Sequence, residues 1–200
     1  MMTRTSRLAA AIRSFVRDIG GVAAVEFGFI APVLLVMLLG AIEVTRAMSI
    51  NTRISLATSM VADLVAREQQ LTGDDVRAIY EIANEIMAPY DGSKLDLSLI
   101  PIMSASNNAS RTLVYPSVTN RPPHNHGTVP AKCQAYSLAS GMLKTNESVI
   151  VVEARYMFEP LFGSYILNAG PWTKKAYAKP RKSLCVAFDG ATCTSSCFSS

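Results

Sequence analysis

Few side chains in this 200-residue sequence have the type and spacing to do chemistry. The cysteines come first: Cys133 stands alone, while Cys185, Cys193 and Cys197 form a close set. Four thiols can close two disulfides in three connectivities, and any full pairing sends one of the close set back to Cys133. The same thiolates could instead hold zinc with His124 or His126. The last pair is spaced C-x3-C, but no second short pair completes such a site. His124 and His126 lie in a Pro- and Asn-rich run without a neighbouring acid or cysteine pair, so they read as solvated loop residues. Signatures of catalysis are missing: G-x-G, Gly-Lys, H-E-x-x-H, G-x-S-x-G and S-x-x-K do not occur. The expectation is a protein that is not an enzyme and needs no metal, cofactor or small-molecule substrate.

The most informative ionisable group is Glu26. From Val22 to Ile42 every other residue is apolar or small. As a helix this run reaches roughly 30 Å, the thickness of a bilayer core. A carboxylate at the centre of a membrane helix costs roughly 2.5–3.5 kcal/mol, and less near an interface. Glu26 stands one helical turn after Val22. It either snorkels to the headgroups or has a partner. Cleavage between Gly21 and Val22 would create that partner, an amine one turn away on the same chain or on a neighbouring subunit. Pro32, near the middle of the run, withholds a backbone N–H and crowds the Gly28 carbonyl, so it should weaken or kink the helix.

The elements around this run follow from charge and periodicity. Residues 1–21 hold Arg4, Arg7, Arg13 and Arg17 against Asp18 alone, a net of +3 out of the chain's +4. That asymmetry places the arginine-rich end in the cytoplasm and sends the rest across the membrane. The remainder is almost neutral, which argues against nucleic acid as a partner. The far side is then an oxidising compartment, which favours disulfides over zinc for the cysteines. No small-x-small site ends the apolar run, so an ordinary secretory signal fits poorly.

Beyond Glu43 the helix is expected to continue to about Gln69, with Ala47, Ile50, Ile54, Ala57, Val61 and Leu64 forming one core-facing stripe. Gly73 should end this region. Thr72 or Asp74 can cap a second helix over 75–87, which Pro89 stops. The alternation in 94–103 predicts a half-buried strand, and 112–115 a second short one. The strongest strand signal is 148–158, with 172–179 as its partner. Residues 104–110 and 116–130 read as loops, and 183–200 as a tail tied down by disulfides.

Gly21-Val22-Ala23-Ala24-Val25-Glu26 matches the processing motif of type IV prepilins. The longer run GGVAAVEFGFIAPVLLVMLLGAIEVTRA, with Phe27 after the Glu, Pro32 mid-helix and Glu43 after the apolar run, resembles the TadE-like segment of tight-adherence (Flp, type IVc-like) pilus proteins. Val22 stands where many type IV pilins have Phe. The alternation from Val152 through Ala154, Tyr156 and Phe158 to Pro160, followed by a further strand and Arg181, resembles the C-terminal part of the same proteins. Asp91-Gly92-Ser93-Lys94-Leu95 begins like the DxSxS metal loop of a von Willebrand A domain, which TadG-like relatives carry, but lacks the second serine.

The resemblance implies a minor pseudopilin of α+β class: a long N-terminal helix, transmembrane then periplasmic, packed on a small antiparallel sheet as in pilins. Residues 1–21 would be a cytoplasmic leader cleaved by a prepilin peptidase at Gly21–Val22 with Glu26 as the motif acid. Residues 22–42 would span the inner membrane, and 43–200 would form the periplasmic domain. Glu26, Phe27 and Pro32 would set helix register in assembly. The partners implied are the peptidase, other pilins or pseudopilins, and tight-adherence assembly proteins, with the protein in the bacterial inner membrane or associated with the pilus. The competing expectation is a membrane-tethered periplasmic binding module that never enters a filament.

Overall fold

The structure, a computed structural model, describes residues 20–105, 108–115, 119–120, 130–163, 167–188 and 197. The chain divides into two units, Met1–Thr45 and Arg46–Ser200. Helix α1 (Gly20–Arg67) runs through the boundary as one 48-residue element. Its first part displays apolar side chains on every side. Its second part is amphipathic: Ala47, Ile50, Ile54, Ala57, Val61 and Val65 are buried. The expected stripe is therefore the core face, with one correction. Val65 is buried in place of Leu64, which is only half-buried, because 3.6 residues per turn carries the stripe one residue onward by the fifth turn.

Helix α2 (Gly73–Met87) starts with Thr72 as its cap. Thr72 Oγ1 accepts from the Asp75 amide at 3.3 Å, and the Asp75 carboxylate accepts from the Thr72 amide at 2.9 Å, which satisfies two of the exposed donors of the first turn. The bonds that this carboxylate accepts from the Thr72 amide and from the Thr72 hydroxyl hold it below its ordinary range. Gly73 does not end a region as expected; it is the first helical residue, where Thr72 takes the extended conformation instead. Arg53 of α1 donates to the Ile86 carbonyl at 2.9 Å, closing the other end of α2 onto α1.

A five-stranded sheet lies against both helices. Its order is β3-β2-β5-β6, with β4 also pairing to β2, and every pairing is antiparallel. The strands are β2 (Leu95–Ser104), β3 (Thr112–Val114), β4 (Thr119–Asn120), β5 (Ser148–Phe158) and β6 (Gly170–Ala178). A two-residue pair, β1 (Gln70–Leu71) with β7 (Ala187–Phe188), is parallel and ties the stretch just after α1 to residues 187–188. The fold is α+β, a long helix with a small antiparallel sheet.

Strand β2 corrects the half-buried expectation, for nine of its ten residues are buried. Its apolar pattern changes faces midway. Leu95, Leu97 and Leu99 join the helix-facing core, while Ile100 and Ile102 join a second cluster with Val114, Leu143, Val149 and Val151. The segment 131–143 covers that second cluster: Tyr136 and Leu138 pack on it, and the segment is stitched to β3 by bonds from Val114 N to Gln134 O and Tyr136 N to Thr112 O. β6, by contrast, is an edge strand that alternates half-buried and exposed residues. Within the expected loop 116–130, Thr119 and Asn120 form β4 because they pair with Leu99 and Ser98.

Truncating a side chain wedged between helix and sheet should be costly. Leu99→Ala is expected to lower stability by about 2–5 kcal/mol, and Thr72→Ala, which removes only a cap, by about 1 kcal/mol. Urea unfolding of the full chain in detergent micelles, followed by the fluorescence of Trp172, measures both.

Candidate processing and assembly segment

Each of the residues in the expected motif sits on the first part of α1. The Gly21–Val22 peptide bond is helical, one residue past the start of the described helix. Glu26 follows Val22 by four residues, one turn along the same helix face, and its side chain is exposed. Phe27 and Phe29 are 68% and 77% exposed, and Val33 to Leu38 are all more than half exposed. A helix that exposes so many large apolar side chains is unfavourable in water, and this one is long and apolar enough to cross a membrane.

Two glycines are unexplained by the chain's own packing. A methyl group added at Gly21 or Gly28 would meet nothing within 4 Å. A helical glycine costs about 1 kcal/mol relative to alanine, so within this chain Gly28 is a cost without a contact to show for it. Pro32 lies inside the helix. Its missing N–H leaves the Gly28 carbonyl without the helical donor it would ordinarily have. The segment therefore combines a small residue and an under-bonded carbonyl at one position, one turn before Pro32. Glu43, the acid that ends the apolar run, is fully buried.

The other expected site residues lie elsewhere. Cys133 is bonded to Cys197 with their Cα atoms 5.3 Å apart, within the ordinary disulfide range. Cys185 is disulfide-bonded as well. Cys193, His124 and His126 lie outside the described residues. Asp91 of the Asp91–Leu95 stretch is spent locally: its Oδ1 accepts from the Ser93 amide and hydroxyl at 2.9 and 2.6 Å, capping a single 3-10 turn. Among the described residues no three His, Cys, Asp or Glu side chains come together as a metal site.

One cluster escaped the sequence. On the sheet face away from the helices, Lys175 Nζ lies 2.6 Å from Glu153 Oε1. Tyr136 donates its hydroxyl to the same carboxylate oxygen at 2.5 Å and accepts from Lys175 at 3.2 Å. The register that aligns Glu153 with Lys175 is set by β5–β6 pairing, and Tyr136 arrives from the covering segment. No local motif links three residues so far apart. Burial, then the bond to Glu153, pushes the Tyr136 phenol up to about 12. The bond to Glu153 raises the Lys175 amine. Both shifts favour the protonated forms, and the contacts tie segment 131–143 to the sheet through Tyr136. Beside it a hollow of about 700 Å³ is lined by Arg111, Thr112, Leu113, Tyr136, Leu138 and Met142 among others.

Residues 21–63 match the family model described as TadE-like protein. The match covers all of the candidate segment and the core-facing stripe as far as Val61. No curated protein and no solved structure matches the chain.

The clamp has a pH signature. The Tyr136 pKa is raised above its ordinary 10.0 in the folded chain, so its stabilising contribution is complete below pH 10 and is lost as pH rises toward about 12. Lys175, also raised, loses its contribution in the same direction. Alkaline titration of urea stability should show this decline in the wild-type chain and a shallower one in Tyr136→Phe, which keeps the ring and removes the hydroxyl.

Proposed function

We propose that this chain, TadE-like over residues 21–63, is a minor pseudopilin: a structural or assembly component of a tight-adherence, type IV-like pilus. The observation that carries the reading is the coincidence of that match with a helix half that is apolar and exposed on every side, broken by one carboxylate placed one turn past a Gly–Val bond. Chemistry explains why these features belong together. In the bilayer the α1 helix would be held with the arginine-rich end in the cytoplasm and the Arg46–Ser200 unit in the periplasm. Cleavage after Gly21 by a prepilin peptidase would remove that arginine anchor and free an amine at Val22. Glu26 then has an oppositely charged partner, its own amine or that of the next subunit. In hydrocarbon such a pairing turns a costly charge into a contact that fixes register.

The glycine at 28 and the carbonyl freed by Pro32 suit the same role. Small residues let neighbouring membrane helices approach closely, and a packed neighbour can satisfy the freed carbonyl. The protein would act by docking, as a substrate of the peptidase and a partner of other pilins or pseudopilins and assembly proteins. The second reading, a tethered binding module outside any filament, is favoured by the hollow beside Tyr136. It requires neither cleavage nor the Glu26 charge.

Intact mass and N-terminal sequencing of protein from its native membrane decide between them. The expected mature chain starts at Val22, and Gly21→Arg stays uncut; a wild-type chain that keeps its leader sinks the processing step. Glu26→Gln is expected to insert normally yet lose co-purification with other pilus components by roughly tenfold or more, as removal of a charge-assisted contact of ~1.5–3 kcal/mol implies. Gly28→Ala should leave the helix content of the isolated chain unchanged or raised and reduce the same co-purification.

A further inference from the structure

We infer that the outer edge of β6 takes up an extended acidic segment of another protein as an added antiparallel strand. The inference uses the Arg46–Ser200 unit alone and holds whether or not α1 enters a filament. β6 ends the sheet and pairs on one side only, with β5. The direction of its backbone groups follows from the neighbouring strands. Tyr115 N donates to the Pro101 carbonyl at 3.0 Å, so Pro101 turns its backbone toward the β3 side. In an antiparallel ladder successive residues turn to opposite edges. Ile150, opposite Pro101, therefore turns toward β6, where Ala178 is its partner. The alternation continues along the ladder. Gly170, Trp172, Lys174, Ala176 and Ala178 face β5, while Thr173, Lys175 and Tyr177 turn their N–H and C=O groups outward. Pro171 belongs to the outward set, where its missing N–H breaks no pairing. Among the described residues nothing bonds these outward groups.

A hollow of about 700 Å³ lies beside this edge, lined in part by Ser59 and Ala62 of α1 and by Ala176, Tyr177 and Ala178 of β6. Trp172, Ala176 and Ala178 pack on the helix-facing core. A strand added to β6 would put every second side chain on that same side, opposite Ala176 and Ala178. There the small Ser59 and Ala62 leave the space that those side chains would fill.

Charge selects the occupant. Residues 160–188 contain no acid, but they contain Lys174, Lys175, Lys179, Arg181 and Lys182. Lys175, Lys179 and Arg181 are paired with Glu153, Glu147 and Asp63, and Lys182 lies 4.0 Å from Glu68. Lys174 has no ion pair among the described residues. It is half-buried, and the alternation places it on the helix-facing side with Ala176. An acidic side chain directly opposite would supply the missing pair. A second copy of β6 would instead bring lysines against lysines, which is unfavourable.

Isothermal titration of the full-length chain in detergent micelles uses the peptide acetyl-Thr-Val-Thr-Val-Thr-Glu-Thr-amide. In the antiparallel register its valines fall opposite Ala178 and Ala176, and its glutamate opposite Lys174. The expected result is saturable binding. Methylation of the threonine amides, which face β6, should abolish it, and methylation of the valine and glutamate amides should preserve it. No binding of the parent peptide, or equal affinity of the two methylated forms, overturns the edge pairing. Exchanging the peptide's glutamate for lysine should weaken binding roughly tenfold, and Lys174→Gln should erase that difference. Equal affinity of the two peptides for the unsubstituted chain overturns the acidic preference. Tyr177→Pro removes an outward donor and spares the β5 ladder, so it should bind roughly tenfold more weakly than Tyr177→Ala. Hydrogen exchange reads the edge without a substitution. The amides of Thr173, Lys175 and Tyr177 should exchange rapidly in the free chain and slow when peptide binds. Slow exchange in the free chain at every concentration overturns the open edge. Protection that appears only as the chain is concentrated gives the edge to a second copy and overturns the acidic occupant.

Discussion

The helix α1 must satisfy two solvents with one backbone. Its first part exposes apolar side chains in every direction, and its second part buries one stripe and leaves the rest polar. Everything else in the Arg46–Ser200 unit exists around that stripe. Ile50, Ile54, Ala57 and Val61 have no accessible surface, and each depends on the sheet and α2 to remain so. Ala57 at the middle of the stripe shares one buried cluster with Leu97, Leu99 and Val152 of the strands. Remove that contact and the amphipathic half of α1 becomes another exposed apolar surface.

The sheet solves a second problem on its far face. A one-residue shift of the apolar alternation, from Leu95, Leu97 and Leu99 to Ile100 and Ile102, makes one half of the outer face apolar. The other half carries Asp96, Ser98, Arg155 and Glu153. Segment 131–143 covers the apolar half and stops at the polar one, where Tyr136 reaches Glu153 and Lys175. The disulfide from Cys133 to Cys197 pins the start of the same segment. A cover made of irregular chain is held by the Cys133–Cys197 bond, the half-buried Tyr136 hydroxyl and a few backbone bonds to β3.

Much of this was legible in the sequence because it depends on period. The extent of α1, the cap at Thr72, and strand β5 to the residue follow from apolar spacing and local turn chemistry. The apolar helix and its carboxylate were legible for the same reason: a charge in a long apolar run cannot be hidden by context. What was not legible depends on pairing between distant residues. β1 and β7 are two residues each, with no pattern of their own, and exist only because Leu71 and Phe188 meet in the core. The burial of Ile100 and Ile102 could not be seen without knowing that residues 131–143 fold over them. The Tyr136 cluster needed the β5–β6 register. Gly73 misled because glycine marks helix ends more often than first turns, and here the cap on Thr72 decided the matter.

Residues 181–188 close on the end of α1 and the stretch just after it. Arg181 N bonds Ala66 O at 2.9 Å, Ala187 N bonds Gln69 O at 3.0 Å, and Val186 and Phe188 complete the core that α1 and α2 began. The bridge from Cys133 spans 64 residues to reach Cys197. For a chain made from its N-terminal end, this topology delays completion. The central strand β5 arrives long after β2, and β7 after both. Until then the α1 stripe is bare, and a product cut short of these strands would keep it so. Closure of the core thus waits on residues far along the chain, which gives a protease a physical criterion for telling a closed core from an open one.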